Sequence, residues 1–318
     1  MIKVGIIGCA NLRAAELVRV LINHPDVELK WARDAGVAGL RLDAIVPGVV
    51  GECDLTVEGD GDLDGVDVVF LCGSRAEVTR RLARLHIPDG VRLIDLSGSH
   101  NLDYGDGKPW AYGLGEMQRR LLVHETGHIT VPGNAATAAM LALIPMARNL
   151  LLNSSVTLHA AIGVGALTDE GKTLDGLDLG AWASDQQQEV ALALSQCQAS
   201  FNQPVTLTLT PLSERRTLAV AARFKCGVDG AMARQLYEQY YDDHNFVFIV
   251  DRPILTADVE NTNKCLLRIE KDERSGELTV HAVMDVMLKG CAGNAVHAMN
   301  LMFGLHERAG LALKATGC

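Results

Sequence analysis

The chain has 318 residues, 48% of them hydrophobic, and a formal net charge of −10, enough apolar material for a large core and about two domains. The acidic balance argues against nucleic acid and anionic membrane surfaces as partners, because both need a basic stripe, and leaves small molecules, including anions, or other proteins. No signal-peptide pattern opens the sequence, no apolar run approaches a membrane span, and the eight cysteines form no C-x-x-C pair, so a cytoplasmic protein with free thiols is expected.

Residues Lys3–Gly8 form an apolar run ending in glycine, and Leu12, Leu17, Val18 and Leu21 follow at helical spacing through Asn23. His24-Pro25-Asp26 stops that helix, and Val27–Ala32 reads as a second strand, completing a β-α-β unit. Further buried-strand runs at Asp67–Cys72 and Val91–Leu96 flank a helix at about Glu77–Leu85. Strands alternating with helices predict an α/β fold with a Rossmann-type doubly wound parallel sheet, whose ligand sits at the strands' carboxyl ends. The loop Gly8-Cys9-Ala10-Asn11-Leu12-Arg13-Ala14-Ala15 stands where a phosphate cradle would be, and only its first glycine is present. Asn11 tolerates a left-handed backbone and Ala14 adds only a methyl, so a working cradle and a plain strand–helix turn both remain open. At the end of the second strand Arg33 suits a 2′-phosphate and Asp34 a ribose hydroxyl, leaving NADP against NAD undecided.

His124-Glu125-Thr126-Gly127-His128 satisfies H-E-x-x-H, the zinc-protease spacing. Gly127 and the following Ile129-Thr130-Val131-Pro132 end any helix where the second histidine would have to be held, so a helix-to-strand turn and no metal are expected. Then Ile129–Thr137 reads as strand, tight turn and helix, with the helix running to about Asn149. Asn134 opens it, where unpaired N–H groups and the positive end of the helix dipole converge. A cysteine there would be a stabilised thiolate; an asparagine has no such power, and its plain role is a helix N-cap. Beyond it, Ser155–Ile162, Val205–Thr210 and Thr217–Phe224 read as strands, and Lys264–Lys271 pairs with Glu277–Val286 across a turn at Asp272–Gly276. This predicts a second, α+β domain with a mixed or antiparallel sheet.

Five stretches carry a family resemblance: Gly5-Ile6-Ile7-Gly8 with Glu16-Leu17, Tyr112–Glu116, Pro132-Gly133-Asn134, Asn261-Thr262-Asn263, and Lys289–Val296. In this order the chain resembles the N-acetyl-gamma-glutamyl-phosphate reductases of arginine biosynthesis, oxidoreductases whose signature at the third stretch is Pro-Gly-Cys. The resemblance implies a dinucleotide-binding domain of residues 1–132 with 290–318 and a substrate and oligomerisation domain of residues 133–289. It implies NADP as cofactor, held by Gly8, Cys9, Ala10, Asn11, Arg33, Cys72, Gly73, Ser97 and Asn294, and a substrate anion held by Gly133, Arg215 and Arg216. It also implies a homo-oligomer, or a hetero-oligomer with a reductase paralogue.

The family reaction joins a cysteine thiolate to an acyl phosphate and releases a semialdehyde by hydride transfer from NADPH. Here Asn134 holds the cysteine position and is not competent, the histidine-bearing stretch has become Ala183–Glu189 without a histidine, Ser99-His100-Asn101 replaces Asp-Phe-Arg, and Val286 replaces an asparagine. The departures fall on chemistry and the conserved pattern falls on the fold. An impaired or inactive reductase-like protein is expected, with two alternatives: a non-catalytic partner or regulator of a true reductase, or a related reductase using Cys72 or Cys291.

Overall fold

The computed structural model describes residues 1–105, 108–124, 127–163, 178–213 and 216–316. Two compact units divide the chain. Unit 1 is Met1–Pro132 with Cys291–Ala312, and unit 2 is Gly133–Gly290 with Leu313–Cys318. The tail beyond Ala312 thus groups with the second unit, where Asn261 Nδ2 donates to Thr316 Oγ1 at 2.5 Å, rather than with the first as the resemblance implied. Among the described residues no helix is long and apolar enough to cross a membrane.

Unit 1 is built on a six-stranded parallel sheet of β1 (Ile2–Ile7), β2 (Val27–Arg33), β3 (Val68–Leu71), β4 (Arg92–Asp95), β5 (Trp110–Tyr112) and β6 (His128–Thr130), in the order β2-β1-β3-β4-β6-β5. The order reverses at β1, with β2 on one side and β3 on the other, which makes the switch-point crevice of a doubly wound sheet. Helices α1 (Leu12–Ile22), α2 (Leu42–Ile45), α3 (Arg75–Leu82) and α4 (Gly115–His124) complete its first segment, and α8 (Gly293–Met302) returns to pack on α1 and α4. All ten residues of α8 are buried, with Asn294, His297 and Asn300 hydrogen-bonded. His24 ties the returning segment down: its Nε2–H donates to Asn300 Oδ1 at 2.9 Å, while Asn300 Nδ2 donates to the carbonyls of Glu307 and Ala309.

Unit 2 carries β7 (Val156–Gly163), β8 (Val205–Leu212), β9 (Thr217–Lys225), β10 (Val247–Ile249), β11 (Cys265–Asp272) and β12 (Glu277–Asp285), in the order β10-β11-β12-β9-β7-β8. The β10–β11 and β7–β8 pairs are parallel and the rest antiparallel, so the sheet is mixed. Helix α5 (Asn134–Arg148) packs against the sheet and against α6 (Leu179–Cys197) and α7 (Gly230–Tyr241). Alternation places Val156, Leu158, Ala160 and Ile162 inside, with Thr157 and His159 exposed on the opposite face. Helix α5 contains Pro145, which has no N–H to give to the carbonyl of Leu141. Tyr241 of α7 supplies the missing donor, its hydroxyl bonding Leu141 O at 2.6 Å, and Tyr237 does the same for Ala142 O at 2.5 Å.

Two measurable consequences follow from these buried polar contacts. Tyr241→Phe leaves the Leu141 carbonyl orphaned in the core and should lower unfolding stability by about 1–2 kcal/mol in urea titration. His24 is held neutral, because burial pushes its pKa below the ordinary 6.5 and its Nδ1 accepts from Asp26 N–H at 3.1 Å. The unfolded chain therefore binds the extra proton, so stability contributed by this site is complete above 6.5 and falls as the pH drops below it. His24→Gln should flatten that part of the acid limb in thermal melts.

Candidate active site and cofactor crevice

In unit 1 the crevice begins at Gly8, whose φ of +76° and close approach to Gly73 admit no side chain; a Cβ there would lie 2.6 Å from Gly73 N and 2.7 Å from Gly73 Cα. Cys9, Ala10, Asn11 and Cys72 gather around this contact. Asn11 does not take the left-handed backbone that would let it replace a glycine. Its φ is −145°, it is the N-cap of α1, and its Oδ1 accepts from Ala14 N–H at 3.0 Å. Its Nδ2 bridges the ends of β1 and β3, donating to Gly8 O and Cys72 O at 2.9 Å each. Asp34 Oδ2 accepts from Ala10 N–H at 3.2 Å. Two backbone donors at the loop that would face a phosphate are thus already engaged by side chains, one of them a carboxylate.

Arg33 lies where β2 ends, with Gly8 N–H bonded to its carbonyl at 2.7 Å. Its guanidinium stacks over Trp31, bonds Asp62 O and pairs with Glu58 Oε2 at 2.8 Å. A cavity of about 320 Å³ opens beside it, lined by Ile7, Arg33, Gly61, Glu77 and Arg81 among others. Arg81 pairs with Asp60 there through one nitrogen, while its NH1 is buried with no partner among the described residues. Ser97 belongs to the loop after β4 and bonds Asp95, and Asn294 of α8 donates to Gly113 O at 3.2 Å.

Unit 2 holds the position of the family nucleophile. Gly133, not Asn134, is the N-cap of α5, and it offers no side chain to the helix. Asn134 is the first helical residue, its Oδ1 accepting from Ala135 N–H at 2.8 Å. Two further donors are met from α6: Gln186 Oε1 accepts from Ala136 N–H at 3.0 Å and Glu189 Oε1 from Gly133 N–H at 2.9 Å. Both side chains are buried. Gln186 presses so closely on Gly133 that a Cβ there would lie 2.2 Å from its Nε2. Of the histidine-less run 183–189, Gln186 is the residue that reaches the helix end together with Glu189, and no sequence signal at a separation of 50 residues marks that contact.

Arg216 is engaged with Asp285, Nε to Oδ2 at 2.8 Å and NH2 to Oδ1 at 3.2 Å. Asp285 is fully buried and also accepts from the N–H groups of Asn261, Met287 and Leu288. This network anchors the Asn261 turn to the end of β12. Arg215 lies outside the described residues, as does Glu125 of the H-E-x-x-H stretch. His124 ends α4 and His128 opens β6, where its Nδ1 accepts from Leu93 N–H at 3.2 Å; the two imidazoles do not share a helix face.

The thiols near the crevice are poorly suited to nucleophilic work. Burial pushes Cys72 well above the ordinary thiol range, and burial together with the Asp34 charge pushes Cys9 up to about 12. A thiol held protonated is not a nucleophile.

Residues 3–124 match the family model described as semialdehyde dehydrogenase, NAD binding domain, and residues 135–285 match semialdehyde dehydrogenase, dimerisation domain. The fold is that class's: aspartate semialdehyde dehydrogenase II from Vibrio cholerae, complexed with ASA, superposes with a TM-score of 0.72 at 16% identity over 96% of this chain and 98% of that one. The Candida albicans aspartate semialdehyde dehydrogenase with NADP gives 0.72 at 12% identity, over 95% and 98%. Within the class, the chain belongs to the N-acetyl-gamma-glutamyl-phosphate reductase family. It is 36% identical to the Phocaeicola vulgatus enzyme of that name and 34% identical to that of Parabacteroides distasonis, each over 99% of both chains.

Two experiments probe this geometry. Iodoacetamide at mildly alkaline pH, with peptide mapping, should label the half-buried Cys53 well before Cys9 or Cys72. Gly133→Ala should cost about 1–3 kcal/mol in denaturant unfolding, the usual penalty for an overpacked core position, and a shortened side chain at Gln186 should recover part of it.

Proposed function

We propose that this chain is a non-catalytic member of its family, one that keeps the two-unit fold and a weakened NADP(H) crevice and does not reduce an acyl phosphate. The observation that carries the reading is the N-terminus of α5. Where the reaction needs a thiolate next to a proton relay, the helix end holds the Asn134 amide, with the N–H of Ala136 taken by Gln186 and that of Gly133 by the buried carboxylate of Glu189. Neither amide ionises or shuttles a proton near neutral pH. The alternative thiol at Cys72 is opposed by its raised pKa.

The residues of the crevice still fit a dinucleotide. Gly8 and Gly73 keep the close backbone approach, and the cavity beside Arg33 has a buried guanidinium nitrogen in want of an acceptor. NADP(H) would be held by Gly8–Asn11, Arg33, Cys72, Gly73 and Ser97, and when bound it would supply hydride. Affinity is reduced because Asn11 and Asp34 occupy loop donors.

The role that remains is that of a partner or regulator, assembling with itself or with a reductase paralogue. In support, the face of the unit 2 sheet opposite α5 presents Thr157, His159, Thr206, Thr208 and Arg223 to solvent, and the matched model for this region is described as a dimerisation domain.

The purified protein should give no turnover of N-acetyl-glutamyl phosphate with NADPH once host reductase has been removed; turnover above the buffer rate would sink the proposal. Asn134→Cys alone should gain a modest alkylation rate and no reduction, because the thiol and its imidazole act as a unit. Asn134→Cys combined with Gln186→His should raise alkylation near neutral pH further, by roughly tenfold if the imidazole supports the thiolate. In sedimentation, a monomer indifferent to an added reductase paralogue would remove the partner role.

A further inference from the structure

The cavity beside Arg33 is walled by a row of arginines. Ile7 at the end of β1 and Arg33 at the end of β2 form one side, and Arg80, Arg81 and Arg84 form another. Arg80 and Arg81 lie in the last turn of α3, and Arg84 stands one residue past its C-cap. Ile7 immediately precedes Gly8, and the Arg81 charge is felt at Cys9, where it opposes the upward shift of the thiol. The cavity therefore adjoins the glycine loop, at the carboxyl ends of parallel strands where ligands of such folds bind.

The four arginines are not equivalent. Arg33 is committed on every side: its guanidinium lies over Trp31 at 4.0 Å, bonds Glu58 and Asp62 O, and presses on Gly61, where a Cβ would lie 2.9 Å from its Cζ. Arg81 is tied to Asp60. Arg80 and Arg84 are exposed, and neither guanidinium has an ion pair or hydrogen bond among the described residues. The carboxylates nearby are already placed. Glu58 faces Arg33, Asp60 faces Arg81, Asp34 accepts from Ala10 and Gly36 N–H, and Glu77 Oε2 lies 2.8 Å from where a Gly73 Cβ would sit.

Three like charges on one wall repel, at a cost in stability. The negative end of the α3 dipole offsets part of that cost, but it amounts to only about half an elementary charge. A bound anion would offset the rest. The cavity, about 320 Å³, falls at the low end of ligand-sized pockets, which suits a phosphorylated ribose better than a bare ion.

We propose that Arg80 and Arg84 form a phosphomonoester subsite of the unit 1 crevice, gripping the 2′-phosphate of NADP(H) and selecting it over NAD(H). The grip presupposes the dinucleotide reading above, and it passes from Arg33, whose place at the end of β2 suggests that role, to α3 and the residue after it. Arg33 remains as a fixed wall of the cavity. Guanidinium forks match phosphate oxygens and keep their charge throughout the neutral range.

The test is calorimetry at about pH 8, where a phosphomonoester is a dianion, with NADPH, NADH, 2′-AMP, 5′-AMP and inorganic phosphate as ligands. The intact protein should bind NADPH roughly tenfold or more tighter than NADH, and 2′-AMP tighter than 5′-AMP, the worth of one or more charge-assisted hydrogen bonds. Arg80→Gln combined with Arg84→Gln should bring NADPH down to the affinity of NADH and leave NADH unchanged, with thermal melts confirming the fold. Arg33→Gln should keep the ratio of the two. Equal binding of NADPH and NADH by the intact protein overturns the proposal, as does a preference that survives in the double variant. If neither dinucleotide binds, 2′-AMP separates the two readings: 2′-AMP binding that is lost in the double variant keeps the subsite and removes the dinucleotide reading, and no 2′-AMP binding removes both. Inorganic phosphate bound as tightly as 2′-AMP would mark a free-anion site and overturn the 2′-phosphate assignment.

Discussion

A helix leaves its first N–H groups without partners, and most of what distinguishes this chain follows from how it supplies them. At α1 the acceptor is Asn11, with Asp34 taking the loop N–H of Ala10 just before it; at α5 they are Gln186 and Glu189, reaching across from α6. In both places the acceptor is part of the protein, where a ligand or a reacting group would otherwise meet the dipole. An anion approaching either end competes with a group that has already lost its conformational entropy on folding. Stability and reactivity are here alternative uses of the same donors.

The same logic runs through the rest of the core. Pro145 removes a donor from α5 and two tyrosines of α7 return hydrogen bonds to the carbonyls beside it. Asp285 collects three backbone N–H groups and the Arg216 guanidinium. Gln198 serves Leu152 as a strand neighbour would, accepting from its N–H and donating to its carbonyl. Each joins segments distant in sequence, so each fixes tertiary geometry and not only local structure.

The sheets were legible in the sequence because their residues announce themselves: Lys3–Gly8, Asp67–Cys72 and the hairpin from Lys264 to Val286 are apolar or alternating runs with clear stops, and the structure places β1, β3, β11 and β12 there. Less legible were β5 and β10, three residues each and ordinary in composition, and α4, whose pattern is broken by the non-helical backbone of Gln118. Asn134 was readable as the start of a helix, but the bond of its neighbour Ala136 to Gln186 was not, since nothing local couples residues 50 apart. The pairing of Arg33 with Glu58 and of His100 with Asp95 likewise depends on how loops fold back over the sheet. Pattern reports which faces are buried, and partner choice among polar side chains is decided only once the backbone is in place.

The interlock of Gly133 and Gln186 also bears on the chain's history. With the carboxamide seated on the glycine, thiol chemistry at this helix end cannot be built one substitution at a time: a cysteine at 134 arrives beside an amide that cannot serve it, and a histidine at 186 gives up the Ala136 contact with no thiol to assist. Each intermediate loses something and gains nothing selectable. On the proposed non-catalytic reading the contact thereby acts as a ratchet, since thiol chemistry at this helix end needs both substitutions together.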